Sequence, residues 1–115
     1  MIILYGLVNC DSVKKARVWL EQHHVNYRYH DLRTDGLDAE RLKIWIETLG
    51  WEALLNTRST TWRQLPAVDK QNLNADSAFR IMLAHTSIIK RPILEYGSVV
   101  AVGFSTATYT RIIPT

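Results

Sequence analysis

The sequence contains only one cysteine, Cys10, among its 115 residues. A single cysteine cannot form a disulfide within the chain, which excludes the disulfide framework that many small secreted domains use. This composition suits a reducing compartment, and we expect a cytoplasmic protein. The N-terminus also lacks the basic segment followed by an apolar run that is typical of a signal peptide.

Long apolar runs and clustered charges are scarce as well. No apolar stretch approaches the roughly 20 residues of a transmembrane helix, so no membrane association is expected. The net charge of +3 and the pI near 9.2 suit an anionic small molecule or an acidic protein surface. A direct nucleic-acid partner is not expected, because clustered Lys and Arg are missing. Glycine-rich phosphate loops and zinc-site spacings are also missing, so no metal is expected.

The first third of the chain predicts a βαβ unit. Residues 2–6 form a short apolar run that is typical of a buried strand. Residues 12–23 carry apolar side chains at helical spacing, with Asp11 or Ser12 as the expected cap. Residues 25–32 alternate as a second strand does, and a crossover helix of this length makes the two strands parallel.

The rest of the chain predicts helices, then a β-hairpin, then a last helix. Gly50 ends one helix and Gly97 allows the hairpin turn. The expected elements are a helix over 38–49, short helical pieces and loops over 51–74, a helix over 75–85, strands over 88–95 and 99–102, and a short helix before Pro114. These elements indicate one α/β domain over residues 1–115.

Cys10 lies where the first strand gives way to the first helix. Unpaired backbone N–H groups and the positive end of the helix dipole stabilise a thiolate at such a position, and the thiolate is the nucleophilic form. Lys14 and Lys15 add positive charge, whereas Asp11 opposes it. The alternative is that Cys10 is a small buried hydrophobe, as many lone cysteines are.

Three segments together resemble the arsenate reductase (ArsC)/Spx family, and within it the small YffB-type proteins. The segments are Tyr5-Gly6 through Cys10 into Lys14-Lys15-Ala16-Arg17, then Leu55-Asn56-Thr57-Arg58, then Lys90-Arg91-Pro92-Ile93. Their order and spacing fit that family over nearly the whole chain. The resemblance implies a thioredoxin-like fold, with a mixed four-stranded sheet and a helical insertion between the second and third strands. It also implies a cis peptide bond before Pro92.

The resemblance assigns roles to individual residues. Cys10 corresponds to the thiol that attacks the substrate, and Arg58 and Arg91 correspond to arginines that hold an oxyanion or an anionic thiol compound beside it. An arginine fork matches carboxylate oxygens bidentately. Asn9, Lys14 and Pro92 complete the expected binding residues. Taken alone, Arg58 and Asn9 have the simpler interpretation of solvated loop residues.

Two departures from the family pattern narrow the function. Spx-type members have a second cysteine where this chain has Val13, so an internal disulfide switch is impossible. Arsenate reductases of this family have a third arginine in the segment that matches Val99 to Gly103, and here that segment carries none. The incomplete cradle argues against arsenate reduction.

The leading hypothesis is therefore a glutathione-dependent thiol reductase, in which Cys10 forms a mixed disulfide. Glutathione or another anionic thiol compound is the expected co-substrate, with no tightly bound cofactor. The first alternative is an Spx-like regulator that contacts RNA polymerase without catalysis. The second is a related fold with an inert cysteine.

Overall fold

The computed structural model describes residues 1–114. These residues form two compact units. The sheet unit comprises Met1–Gly36 and the segment from Arg91 onward, and the helical unit comprises Leu37–Lys90. The expectation of a single domain over residues 1–115 stays a prediction. No helix among the described residues is long and apolar enough to cross a membrane.

A mixed four-stranded sheet forms the centre of the sheet unit, in the order β2-β1-β3-β4. Strand β1 pairs in parallel with β2 and antiparallel with β3, which pairs antiparallel with β4. The strands are β1 (Ile2–Gly6), β2 (Arg28–Asp31), β3 (Ile93–Tyr96) and β4 (Val99–Val102). The predicted mixed sheet is confirmed, as is the parallel pair around the first helix.

Helices α1 (Asp11–Gln22) and α6 (Thr106–Ile112) belong to the sheet unit. Apolar side chains of both helices pack with those of the sheet in one core. The buried residues of this core are Ile2, Leu4, Ala16, Trp19, Leu20, Leu94, Ala101, Tyr109 and Ile113. The helical spacing at 16, 19 and 20 therefore marks the face that the sequence pattern predicts.

The helical unit contains the insertion between β2 and β3. Its α-helices are α2 (Ala39–Leu49), α3 (Trp51–Leu54), α4 (Thr60–Gln64) and α5 (Ala75–Ala84), with 3₁₀ turns at Ala67–Lys70 and Thr86–Ile88. Gly50 ends α2 at φ 87°, a conformation that glycine adopts without a steric penalty. Asn74 and Ser77 cap α5 reciprocally, so the predicted helices over 38–49 and 75–85 are confirmed within one residue at each end.

Besides the start of the second strand, which lies at Arg28 instead of Val25, two sequence-based boundaries are wrong. The strand predicted over 88–95 begins only at Ile93, because Pro92 has no N–H to give to a ladder and Ile88 ends a 3₁₀ turn. The first helix begins at Asp11, so its N-cap is Cys10 rather than Asp11 or Ser12. This second correction places the thiol directly at the helix terminus.

Candidate functional site

Cys10 is half-buried and occupies the N-cap position of α1. Its backbone is extended, its carbonyl accepts a hydrogen bond from the Lys14 N–H at 3.0 Å, and its side chain makes no capping hydrogen bond. The first N–H groups of a helix have no intrahelical acceptor, so a sulfur at this position faces donors and the positive end of the dipole.

A close approach between β1 and α1 holds this N-terminus in place. An added Cβ on Gly6 would lie 2.6 Å from Cγ2 and 2.9 Å from Cγ1 of Val13. Val13 is buried in the first turn of α1. Because Gly6 has no side chain, the first turn of α1 packs directly against the end of β1. Cys10 lies four residues after Gly6.

The cis peptide bond expected at Arg91-Pro92 is present. Tyr5 pairs with Ile93 across β1 and β3, so the antiparallel register places Pro92 beside Gly6, at the end of β1 that leads to Cys10. Pro92 is buried and its carbonyl accepts a hydrogen bond from the Gly103 N–H at 2.8 Å. Arg91 is half-buried.

The remaining predicted site residues occupy different settings. Asn9 is exposed in the turn before α1, and Lys14 is exposed one turn beyond Cys10. Arg58 belongs to the helical unit, where its N–H donates to Oδ1 of Asn56 at 3.1 Å and its side chain is exposed. Cys10, Asn9, Lys14, Arg91 and Pro92 thus share the sheet unit. The roles assigned to all six residues stay predictions.

Sequence reasoning missed the surroundings of Arg17, which it treated as part of a solvated basic helix face. Its guanidinium carbon lies 4.2 Å from the centre of the Tyr29 ring, and its Nε donates to the Tyr27 hydroxyl at 3.0 Å. The bond to Tyr27 raises the pKa of Arg17, although burial opposes this effect. The signal in the sequence is the alternation of Tyr27 and Tyr29 beside a helix.

The phenol of Tyr29 is the other polar group that sequence reasoning missed. Its hydroxyl oxygen is buried and has no hydrogen-bond partner among residues 1–114. Burial raises the pKa of Tyr29 and the negative charge of Asp31 adds to this shift, whereas the positive charge of Arg17 opposes it.

Asp31 fixes the turn that follows β2. Its Oδ1 accepts hydrogen bonds from the N–H groups of Arg33 at 2.8 Å and Thr34 at 3.0 Å. Hydrogen bonds to a carboxylate favour its charged form, so the Thr34 and Arg33 N–H groups hold the pKa of Asp31 below its usual range. In the described chain, no group of three His, Cys, Asp or Glu side chains is arranged to hold a metal ion.

Replacing Asp31 tests this turn. The folded-state pKa lies below the unfolded value of about 3.9, so the contribution of Asp31 to stability is present above about pH 4 and is lost as the pH falls through the folded-state pKa. We expect Asp31→Asn to lower the free energy of unfolding at pH 7 by about 1–2 kcal/mol, and the difference to shrink at pH 3 in urea titrations. Exposed Asp69→Asn is the control, and an Asp31→Asn effect independent of pH would contradict the assignment.

Comparison with known proteins gives three informative similarities. A solved structure titled YffB protein is 42% identical, with a TM-score of 0.94 over 96% of this chain and 97% of that one. An arsenate reductase (ArsC) related protein from Brucella melitensis is 46% identical, with a TM-score of 0.76 over 96% and 92%. The global transcriptional regulator Spx of Lactiplantibacillus plantarum is 31% identical over 116 residues, which cover 99% of this chain and 87% of that protein.

These similarities confirm the expected thioredoxin-like architecture. The family model described as the ArsC family matches residues 5–112, which include all six predicted site residues. A match over that span, together with a relative more than 30% identical along nearly the full chain, establishes the family. The chain belongs to the ArsC family.

Proposed function

We propose that the chain is a glutathione-dependent thiol reductase, a thiol–disulfide oxidoreductase in which Cys10 forms a mixed disulfide. The observation that carries the proposal is the position of Cys10. Cys10 is the N-cap residue of α1, is half-buried as a residue, and its side chain makes no capping hydrogen bond. A thiol that is neither committed to capping nor fully buried is available to an incoming disulfide.

The reaction has two exchange steps, each of which forms one S–S bond and breaks another. In the first, the Cys10 thiolate attacks the glutathionyl sulfur of a glutathione mixed disulfide, and the substrate thiolate leaves. In the second, the thiolate of another glutathione attacks the same glutathionyl sulfur, which releases the Cys10 thiolate and forms glutathione disulfide. The chain has no second cysteine, so the resolving thiol must come from outside.

The basic side chains supply binding and orientation in this proposal. Lys14 is one turn along α1 from Cys10 and favours the thiolate, while Arg91 and Arg58 hold the carboxylates of glutathione. Asn9 contributes a polar group next to the sulfur, and Pro92 lies at the same end of the sheet because β3 pairs with β1. The pairing of β1 with β3 supports the positions of Arg91 and Pro92, and membership of the ArsC family supports the role of Arg58.

Two measurements on the reduced protein test the function. Incubation with glutathione disulfide should add one glutathionyl group, which the intact mass detects and peptide mapping places at Cys10. Saturating S-methylglutathione, which occupies the site without reacting, should slow alkylation of Cys10. A protein that acquires no glutathionyl group and whose alkylation is indifferent to this ligand would overturn the proposal.

The similarity to the transcriptional regulator Spx supports a second candidate, a protein that binds RNA polymerase without catalysis. Capture of purified RNA polymerase by the immobilised chain separates the two candidates, with a charge reversal at exposed Lys15 and Arg63 as a surface control. Specific capture that is unchanged by Cys10→Ser, in a protein that acquires no glutathionyl group, would favour the regulator.

A further inference from the structure

Two contacts within the protein fix the orientation of the Arg17 guanidinium group, the planar fork of its side chain, without any bound ligand. The fork lies on the Tyr29 ring at 4.2 Å, and the Tyr27 hydroxyl accepts from its Nε at 3.0 Å. Stacking fixes the plane of the fork, and the single hydrogen bond at Nε fixes its rotation within that plane. The two terminal amino groups, which bind carboxylates bidentately, are not used by either contact.

Among residues 1–114, no acceptor contacts those terminal amino groups. Within residues 1–114 no carboxylate forms an ion pair with Arg17, and its one hydrogen bond is made by Nε. Glu21 acts on Arg17 only at longer range. The hydroxyl of Tyr29, beneath the same guanidinium, also has no partner in this part of the chain.

The fork lies on the side of α1 that leads back to the thiol. Cys10, Lys14 and Arg17 follow one another at intervals of four and three residues, the spacing of one helix face. Seven residues correspond to about 10 Å along the helix axis. An extended tripeptide spans about 10 Å from end to end, and a central cysteine leaves about half of that length on either side of the sulfur. The Arg17 side chain, which a helix directs back towards its N-terminus, must therefore cover the rest of the distance for a terminal carboxylate of a thiol tripeptide bound at Cys10 to reach the fork.

We propose that Arg17, fixed by Tyr27 and Tyr29, is the carboxylate-binding and specificity-determining residue for the thiol co-substrate of Cys10. The inference rests on the proposed function and assigns a binding role to Arg17, a residue to which the family resemblance assigns none. Arg17 favours the binding of thiols whose carboxylate is separated from the cysteinyl unit by two or more bonds. Neutral thiols of similar size bind less tightly.

The test measures binding of S-methylglutathione to the reduced protein by isothermal titration, with its dimethyl ester as the carboxylate-blocked probe. Arg17→Lys keeps the charge but loses the fork, and we expect the Kd for S-methylglutathione to rise about tenfold, the value of one charge-assisted hydrogen bond. The Kd for the dimethyl ester should be the same in Arg17→Lys as in the unaltered protein. Tyr27→Phe, which removes only the tether at Nε, should raise the Kd for S-methylglutathione by a smaller factor.

The matched control is Arg28→Lys, because Arg28 is exposed on β2 and lies on the opposite side of the strand from Tyr27 and Tyr29. This variant should bind both probes as the unaltered protein does. Equal losses for both probes in Arg17→Lys would show that Arg17 only attaches α1 to β2, and would overturn the inference. An unchanged Kd in Arg17→Lys would also overturn it, while glutathionylation of Cys10 would leave the proposed function intact. A protein that neither binds S-methylglutathione nor acquires a glutathionyl group would overturn both.

Discussion

Cys10→Ser should abolish formation of the glutathione mixed disulfide and leave the fold intact. The substitution removes the only thiol of the chain. The thiolate is the form that attacks a disulfide, and the serine hydroxyl that replaces it is not ionised at neutral pH. The fold should be unaffected or slightly more stable, because serine is among the preferred N-cap residues and Cys10 makes no capping hydrogen bond with its side chain. Intact mass after incubation with glutathione disulfide gives the first result, and thermal unfolding followed by circular dichroism gives the second.

A relocated thiol provides the matched control. The double variant with Cys10→Ser and Ser12→Cys keeps one cysteine per chain but moves it from the N-cap into the exposed first turn of α1. Glutathionylation should remain far slower than in the unaltered protein, because the relocated sulfur no longer faces the free N–H groups of the helix. Full activity in this double variant, or in Cys10→Ser alone, would contradict the mechanism.

Gly6→Ala should destabilise the protein by about 1–3 kcal/mol, the usual cost of overpacking a closely packed contact. The new Cβ would lie 2.6 Å from Cγ2 of Val13, so α1 must move away from the end of β1. Neither side of this contact can move freely. Val13 is buried, and the Gly6 carbonyl accepts a hydrogen bond from the Leu32 N–H at 2.9 Å. Urea unfolding measures the loss of stability, and the rate of glutathionylation should fall as well because Cys10 is the N-cap residue of the displaced helix.

A double-mutant cycle shows whether the contact with Val13 is the cause. Val13→Ala removes both clashing methyl groups and leaves its own Cβ at 3.3 Å. We therefore expect the double variant to be more stable than the sum of the single effects by at least 0.5 kcal/mol, a coupling of the size that contacting residues show. Gly97→Ala is the comparison, since Gly97 has a φ of 60° and no atom within 4 Å of its added Cβ. Coupling of Val13→Ala with Gly97→Ala, or none with Gly6→Ala, would refute the explanation.

Local patterns were sufficient to predict most of the secondary structure. The apolar run at 2–6 and the helical spacing through Ala16, Trp19 and Leu20 both correspond to buried faces, because periodicity records which side of an element meets the core. Gly50 also marked the end of α2 locally, because glycine adopts the positive φ that follows a helix. The boundary before Ile93 could not be found this way, since Ile88 and Ile89 are β-branched and favour a strand.

Some residues of the candidate site could be identified from local sequence, and others only from tertiary contacts. Cys10 and the Arg91-Pro92 pair were identified from their sequence neighbours and from the family resemblance, and the N-cap position strengthened the first of them. Arg17 could not be identified, because a basic residue on an exposed helix has the same local pattern whether or not an aromatic ring lies beneath it. Only the parallel pairing of β2 with β1 brings Tyr27 and Tyr29 beside α1.

The sequence by itself determined the order of strands and helices, the lone thiol at a strand-to-helix junction, and the exclusion of an internal disulfide. These are properties of residue type and short-range spacing, which need no knowledge of distant contacts. The tertiary structure alone decided that Gly6 must lack a side chain, that Pro92 lies beside the strand leading to Cys10, and that Arg17 is a fixed fork. Each of these depends on residues far apart in the chain, whose proximity follows from strand pairing and helix packing rather than from local preference.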